Sequence, residues 1–216
     1  MRETRLRKGY TQEEVSYGIC TPASLSRIEN GAQKPGRLIL EKLFERLGTE
    51  NNLFNSFVSR EDMELYSAIQ ELIRNITDDD VAKIEAQIEV VEKLSTNASE
   101  LEHQCLYFAK GELERQREKN DEKAMKMYMK AIRITLPDFD GKNPLRNNLL
   151  TFDEIMIINA IAILHANGDD IIHFLRREML DFTAFPVFFV SNLLLVQRKK
   201  YYFNRATVSR NCSIVL

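Results

Sequence analysis

The stretch from Thr11 to Gly31, "TQEEVSYGICTPASLSRIENG", constrains the fold more than any other part of the chain. Two short helical patterns are separated by Gly18, Cys20, Thr21 and Pro22, and the second closes on Asn30-Gly31 before a polar loop. Thr11 and Thr21 sit where N-capping oxygens are needed. Pro22 sits at a first helical position, where its missing N–H costs nothing. The chain is therefore expected to turn sharply between two helices of fixed start, which excludes a strand or a long continuous helix here.

The same grammar extends outward. Five short helices are expected at about 1–8, 11–18, 22–30, 36–47 and 50–57, with Leu6 the one apolar anchor of the first. Glycine and proline are scarce (8 and 5 of 216 residues), and helix formers dominate a chain that is 44% hydrophobic, so an all-α fold with almost no strand follows. Beyond residue 58 the helical patterns lengthen. Residues 59–76 place Met63, Tyr66, Ile69 or Gln70, Ile73 and Ile76 on one stripe. Thr77 with Asp80 reads as the start of the next helix, which carries Val81, Ile84, Ile88 and Val91. Helices at about 98–118 and 121–135 form an antiparallel pair in which Ala124, Tyr128 and Ala131 repeat at close-packing spacing. A linker at 138–148 leads into an apolar helix that stops at Gly168, with an antiparallel partner after it.

Charge divides the chain as well. Residues 1–48 hold nine Lys/Arg against six Asp/Glu, whereas the whole chain carries a formal charge of -2. A basic N-terminal unit thus precedes an acidic body. Residues 182–216 contain no Asp or Glu at all and find no amphipathic partner. They read as an incomplete repeat, the truncated or frame-altered end of a longer array. A membrane anchor is the competing reading, against which the apolar run of about 12 to 15 residues falls short of the roughly 20 that span a bilayer.

In the second short helix Leu25 and Ile28 share the buried face, leaving Ala23, Ser24, Ser26 and Arg27 outward. Small and hydrogen-bonding residues with one arginine suit close approach to base edges in a DNA major groove. Gln12, at the start of the preceding helix, suits a phosphate oxygen, with a plain helix cap as the equal alternative. Asn30, Gln33 and Lys34 in the following loop suit backbone phosphates.

These residues carry a resemblance. Residues 11–48, through "SRIENG", resemble the helix-turn-helix of the Cro/repressor (XRE) family, whose signature runs Thr-Gln-x-Glu-Leu through Ser-x-Ile-Glu-Asn-Gly. The turn reads Ile19-Cys20 rather than Val-Gly and is similar to that of the PlcR/NprR/Rgg group of peptide-sensing regulators. The resemblance implies a five-helix, lambda-repressor-like DNA-binding domain at 1–57, an α-solenoid of tetratricopeptide-like hairpins at 58–181, and the atypical tail at 182–216. It further implies a bacterial, cytoplasmic transcriptional regulator that binds a palindromic operator as a homodimer. In such a protein Gln12 clamps phosphate, Ala23 and Ser24 meet base edges, Arg27 is the main reader, Ser26 flanks it, and Asn30, Gln33 and Lys34 hold the DNA backbone. A signalling peptide, as in quorum sensing, would bind the repeats through asparagines; the alternatives are repeats that dock a protein partner without peptide sensing, or a truncated, non-functional remnant. Asn159, in "IMIINAIAIL", and Asn192 are the candidates, with a bond between neighbouring helices the alternative for Asn159.

Other chemistry is not expected. Cys20, Cys105 and Cys212 are odd in number and far apart, fitting neither a disulfide framework nor a metal site. His103, His165 and His173 are scattered, and Asp169 and Asp170 read as a helix start. No nucleophile triad, phosphate-cradling glycine loop or zinc motif appears, so neither a cofactor nor an enzyme is expected. The opening residues lack the apolar core of a signal peptide.

Overall fold

A computed structural model of the protein describes residues 1–49, 60–78, 80–95, 99–141 and 149–165. Every regular element among them is helical: α1 (Arg2–Arg7), α2 (Gln12–Ser16), α3 (Pro22–Glu29), α4 (Arg37–Arg46), α5 (Arg60–Thr77), α6 (Val81–Leu94), α7 (Glu100–Gln116), α8 (Asp121–Thr135) and α9 (Phe152–His165). The expected fifth short helix at 50–57, the partner helix after Gly168 and the acid-free tail lie outside the described residues.

Helices α2 and α3 start where the capping chemistry places them. The Thr11 hydroxyl accepts from the Glu14 amide while Glu14 bonds back to the Thr11 N–H, a complete capping box. Thr21 accepts from the Ser24 amide, and Pro22 opens α3. Between α2 and α3 the chain reverses through Gly18 at a φ of +67°, a left-handed conformation that glycine adopts without steric cost. Val15, Leu25, Leu43 and Leu47 form the fully buried centre of this unit, and Leu101 of α7 joins the same cluster.

Helix α1 departs from expectation. Leu6 is 58% exposed and anchors nothing. The helix is held by Arg5, whose guanidinium grips Glu29 of α3 with two bonds, Nε to Oε1 at 2.7 Å and Nη2 to Oε2 at 2.8 Å. A charged pair replaces the apolar contact because both side chains are nearly buried and each satisfies the other.

Helices α5 to α9 form the body, each packing on the next in sequence. The α7–α8 pair follows the spacing read from the sequence, with Ala124, Tyr128 and Ala131 completely buried. Its partner residue was not anticipated: a Cβ on Gly111 would stand 2.5 Å from the Tyr128 ring, so glycine makes room for the aromatic. The Tyr128 hydroxyl donates to buried Glu112 at 2.8 Å, and Gln104 donates to the Ala131 carbonyl and the Thr135 hydroxyl. These buried polar groups are thereby satisfied. Three local expectations shift. The buried stripe of α5 is Ala68, Ile69, Leu72 and Ile76, with Met63, Tyr66 and Ile73 only partly covered. Thr77 closes α5 by donating to the Ile73 carbonyl, so Asp80 alone caps α6. Helix α9 begins at Phe152, because Thr151 and Glu154 form a capping box there.

The N-terminal unit is docked on the body by its α2–α3 turn and by α4. A Cβ on Gly18 would fall on the Thr135 carbonyl at the end of α8, so the turn and the body are in backbone contact. The Tyr17 hydroxyl bonds Asp138 at 2.9 Å. Arg46 reaches across to Glu154 at 2.8 Å with both side chains 0% exposed, and its other nitrogen donates to the Tyr17 carbonyl. Lys42 pairs with Asp153 at 2.9 Å and with Glu45 at 3.1 Å, while Glu45 accepts the Phe152 N–H at 2.9 Å.

Candidate nucleic-acid interface

With the body in place, one side of α3 stays open. Thr21, Pro22, Ala23, Arg27 and Asn30 are exposed, Ser24 and Ser26 are half-buried at its edges, and Leu25 alone is fully inside. The expected outward set is therefore displayed on one helix. Among the described residues it falls into two groups.

The first group is centred on Arg27. Its Nε donates to Gln33 Oε1 at 3.1 Å and its Nη2 to Ser24 Oγ at 3.3 Å. The Gln33 amide bonds back to the Arg27 carbonyl, so the loop after α3 is folded against the arginine. An arginine held at its base by neutral partners keeps its charge for an incoming acceptor and loses less rotamer entropy on binding. Lys34 is exposed beside Gln33, and Ala23 lies one turn before Arg27.

The second group lines an open groove of about 460 Å³ formed by Arg2, Arg5, Gln12, Ser26, Glu29 and Asn30. Three of the expected contacts, Gln12, Ser26 and Asn30, meet here. Gln12 is already engaged, its Nε2 donating to Glu29 Oε2 at 2.8 Å. Glu29 is held below the usual carboxylate range, chiefly by the bond from Arg5 and also by Gln12, so it stays ionised and orders both neighbours. Arg2 bonds Asn30 Oδ1 at 3.4 Å and brings an exposed positive charge to the rim. Two cations face one carboxylate, which leaves the groove net positive. The sequence offered no signal for Arg2, because its place beside Asn30 depends on the Arg5–Glu29 pair between α1 and α3.

The peptide candidates stand apart from this surface. Asn159 is buried in α9 at 3% exposure, and Asn192 lies outside the described residues. Among the described residues no group of His, Cys, Asp and Glu is arranged to hold a metal ion, and no helix is long and apolar enough to cross a membrane.

A capped helix, a glycine turn and a second capped helix with an open polar face, packed on two further short helices, define a helix-turn-helix module. A helix-turn-helix family model matches residues 1–50. The chain is also 37% identical over 62 residues to YqaF of Bacillus subtilis (strain 168), described as an uncharacterized HTH-type transcriptional regulator; the match covers 28% of this chain and 82% of that protein. The chain belongs to the XRE-type helix-turn-helix family of DNA-binding transcriptional regulators. No solved structure is significantly similar to it.

Proposed function

We propose that the protein is a sequence-specific transcriptional regulator that places α3 in the major groove of a two-fold symmetric operator. The observation that carries this reading is the open face of α3, where Arg27 stands pre-organised by Ser24 and Gln33. In this reading Arg27 reads a base edge, and Ala23 and Ser24 approach closely enough to meet thymine methyls and base acceptors. Gln12, Ser26, Asn30, Gln33 and Lys34 set the register on phosphates, together with Arg2. One module of this size covers a single half-site, so tight binding calls for two copies of the chain on half-sites about one helical turn apart. The DNA-binding domain is taken to span 1–57 and the helical repeats 58–181, with 182–216 a separate tail.

The body is proposed as the seat of control, by a short signalling peptide bonded through Asn159 and Asn192. Support comes from α9, which carries Asn159 and also Asp153 and Glu154, the residues that pair with Lys42 and Arg46 of the DNA-binding unit. A ligand that favours one placement of α9 acts through its differential affinity for the two placements.

The test is selection of bound fragments from random DNA by the purified protein, scored for a two-fold symmetric motif. The expected outcome is a palindrome with half-site centres about 34–36 Å apart. Absence of enrichment from a folded protein overturns the reading. The selected site then serves for peptide titration.

A further inference from the structure

The seam between α4 and α9 holds more carboxylates than it can neutralise. Arg46 and Glu154 form one balanced, wholly buried pair. The rest of the described seam has Lys42 shared between Glu45 and Asp153, with Glu41 one position away on the same helix. Arg37, lying over the Tyr66 ring at 4.3 Å from its centroid, offsets Glu41. Across α4 and α9, among the described residues, three cations (Arg37, Lys42, Arg46) therefore face four carboxylates (Glu41, Glu45, Asp153, Glu154). From α5, Tyr66 and Gln70 bond Glu41, and from α7 the buried Cys105 thiol lies within the field of Asp153. Among the described residues, neither helix brings a positive charge to Glu45. A surplus negative charge in a desolvated contact is costly, and protonation of one carboxyl removes that cost.

We propose that the α4–α9 seam is a proton-linked brace, gripping the helix-turn-helix unit while Glu45 is protonated and loosening when Glu45 ionises. Glu45 is the member placed for this role. Among the described residues it shares its one cation with Asp153 and otherwise accepts the Phe152 N–H. Burial, with Lys42 acting against it and Asp153 adding to it, raises the Glu45 carboxyl to about 7. Undocked and solvated, the same carboxyl returns to the ordinary range. The docked form thus binds a proton that the undocked form gives up. Docking gains strength as pH falls from 7 toward the ordinary carboxylate value and loses it as pH rises through 7. Arg46, one residue along, bonds the Tyr17 carbonyl, and Gly18 abuts Thr135, so a looser seam reaches the turn that positions α3.

The experiment is hydrogen exchange of the full chain at pH 6 and pH 8, corrected for intrinsic rates and read on the segment 37–47. In the wild type, opening of this segment should rise on the order of tenfold between the two pH values, the size that follows from the shift of Glu45. Glu45→Gln and Asp153→Asn, which each remove the surplus charge from a different helix, should both flatten that dependence. If Glu45→Gln does not fold, Asp153→Asn alone carries the comparison. Wild-type opening that is independent of pH overturns the proposal, as does the same dependence surviving in Asp153→Asn. Any effect on operator affinity rests on the proposed function. Failure to bind DNA at both pH values would overturn that reading, while the exchange data still decide the brace.

Discussion

Removing Glu154 should be among the most damaging substitutions available in this protein. Its carboxylate meets Arg46 at 2.8 Å with both side chains wholly buried, and its second oxygen accepts the Thr151 N–H at 2.6 Å as part of the α9 capping box. In Glu154→Leu the Arg46 guanidinium stays buried with the Tyr17 carbonyl as its remaining acceptor among the described residues, since Arg46 Nε already lacks a partner. An uncompensated buried charge costs about 3–5 kcal/mol, and the orphaned Thr151 amide falls within the same loss. Against a typical stability of about 5–15 kcal/mol, that is at least about a fifth of the total. Arg46→Met should cost a similar amount. The double variant Arg46→Met/Glu154→Leu should recover most of it, because the penalty lies in the orphaned charge rather than in the loss of the pair. Urea unfolding of the full chain, followed by far-ultraviolet circular dichroism and by tyrosine fluorescence in this tryptophan-free protein, measures all three. Where the two probes disagree, the unit and the body unfold separately, and the cost is assigned to each transition. Singles that cost less than about 1 kcal/mol, or a double variant whose loss equals the sum of its singles, would show that the buried charge carries no such penalty.

Arg27→Ala should weaken binding to the selected operator by about 1–3 kcal/mol and leave affinity for unrelated DNA nearly unchanged; an equal loss on both would make Arg27 a phosphate contact. Arg2→Ala should lower affinity on any sequence and reduce the slope of log affinity against log salt by about one, read by fluorescence anisotropy. Gly18→Ala should destabilise the docked protein by well over the roughly 1 kcal/mol of left-handed strain, because its methyl meets the Thr135 carbonyl. Gly31→Ala, at a similar φ of +72° with nothing within 4 Å of the added carbon, should show the strain alone in the same melts. Substitutions in the α4–α9 seam should change the preferred half-site spacing or the overall affinity in selections from spacing libraries, without changing the half-site sequence.

The parts legible in the sequence were those governed by local chemistry. Thr11, Thr21 and Pro22 fixed helix starts because a cap needs only residues within one turn. Ala124, Tyr128 and Ala131 declared a tight helix pair because their spacing sets one face. What stayed hidden was chemistry between distant segments. Leu6 looked like the anchor of α1, yet Arg5 holds the helix because Glu29, 24 residues away, lies opposite it. Nothing in the sequence marks Lys42 and Arg46 as buried. Their burial follows from Asp153 and Glu154, more than 100 residues later, which a helical periodicity cannot reveal. Gln12 was legible as a polar residue at a helix start, whereas its bond to Glu29 required the fold. Gly111 carried no signal of its own until Tyr128 was seen against it.

A charged seam is a poor way to gain stability, since well-packed apolar residues of the same volume commonly serve as well or better. Direction is what it adds. Arg46 must meet the Tyr17 carbonyl and the Glu154 carboxylate together, Lys42 must lie between Glu45 and Asp153, and Glu45 must accept the Phe152 N–H, so a slip of α4 along α9 breaks several bonds at once. The approach of Gly18 to Thr135 imposes the same register sterically, because any bulkier residue in the turn would lift the unit off α8. Apolar side chains alone would tolerate sliding and rotation that these contacts forbid. If two copies bind a symmetric operator as proposed, the orientation of α3 relative to the body sets how far apart the two recognition helices stand. In the proposed reading, the open face of α3 contacts DNA, and the seam on α4 fixes how that face is held on the body.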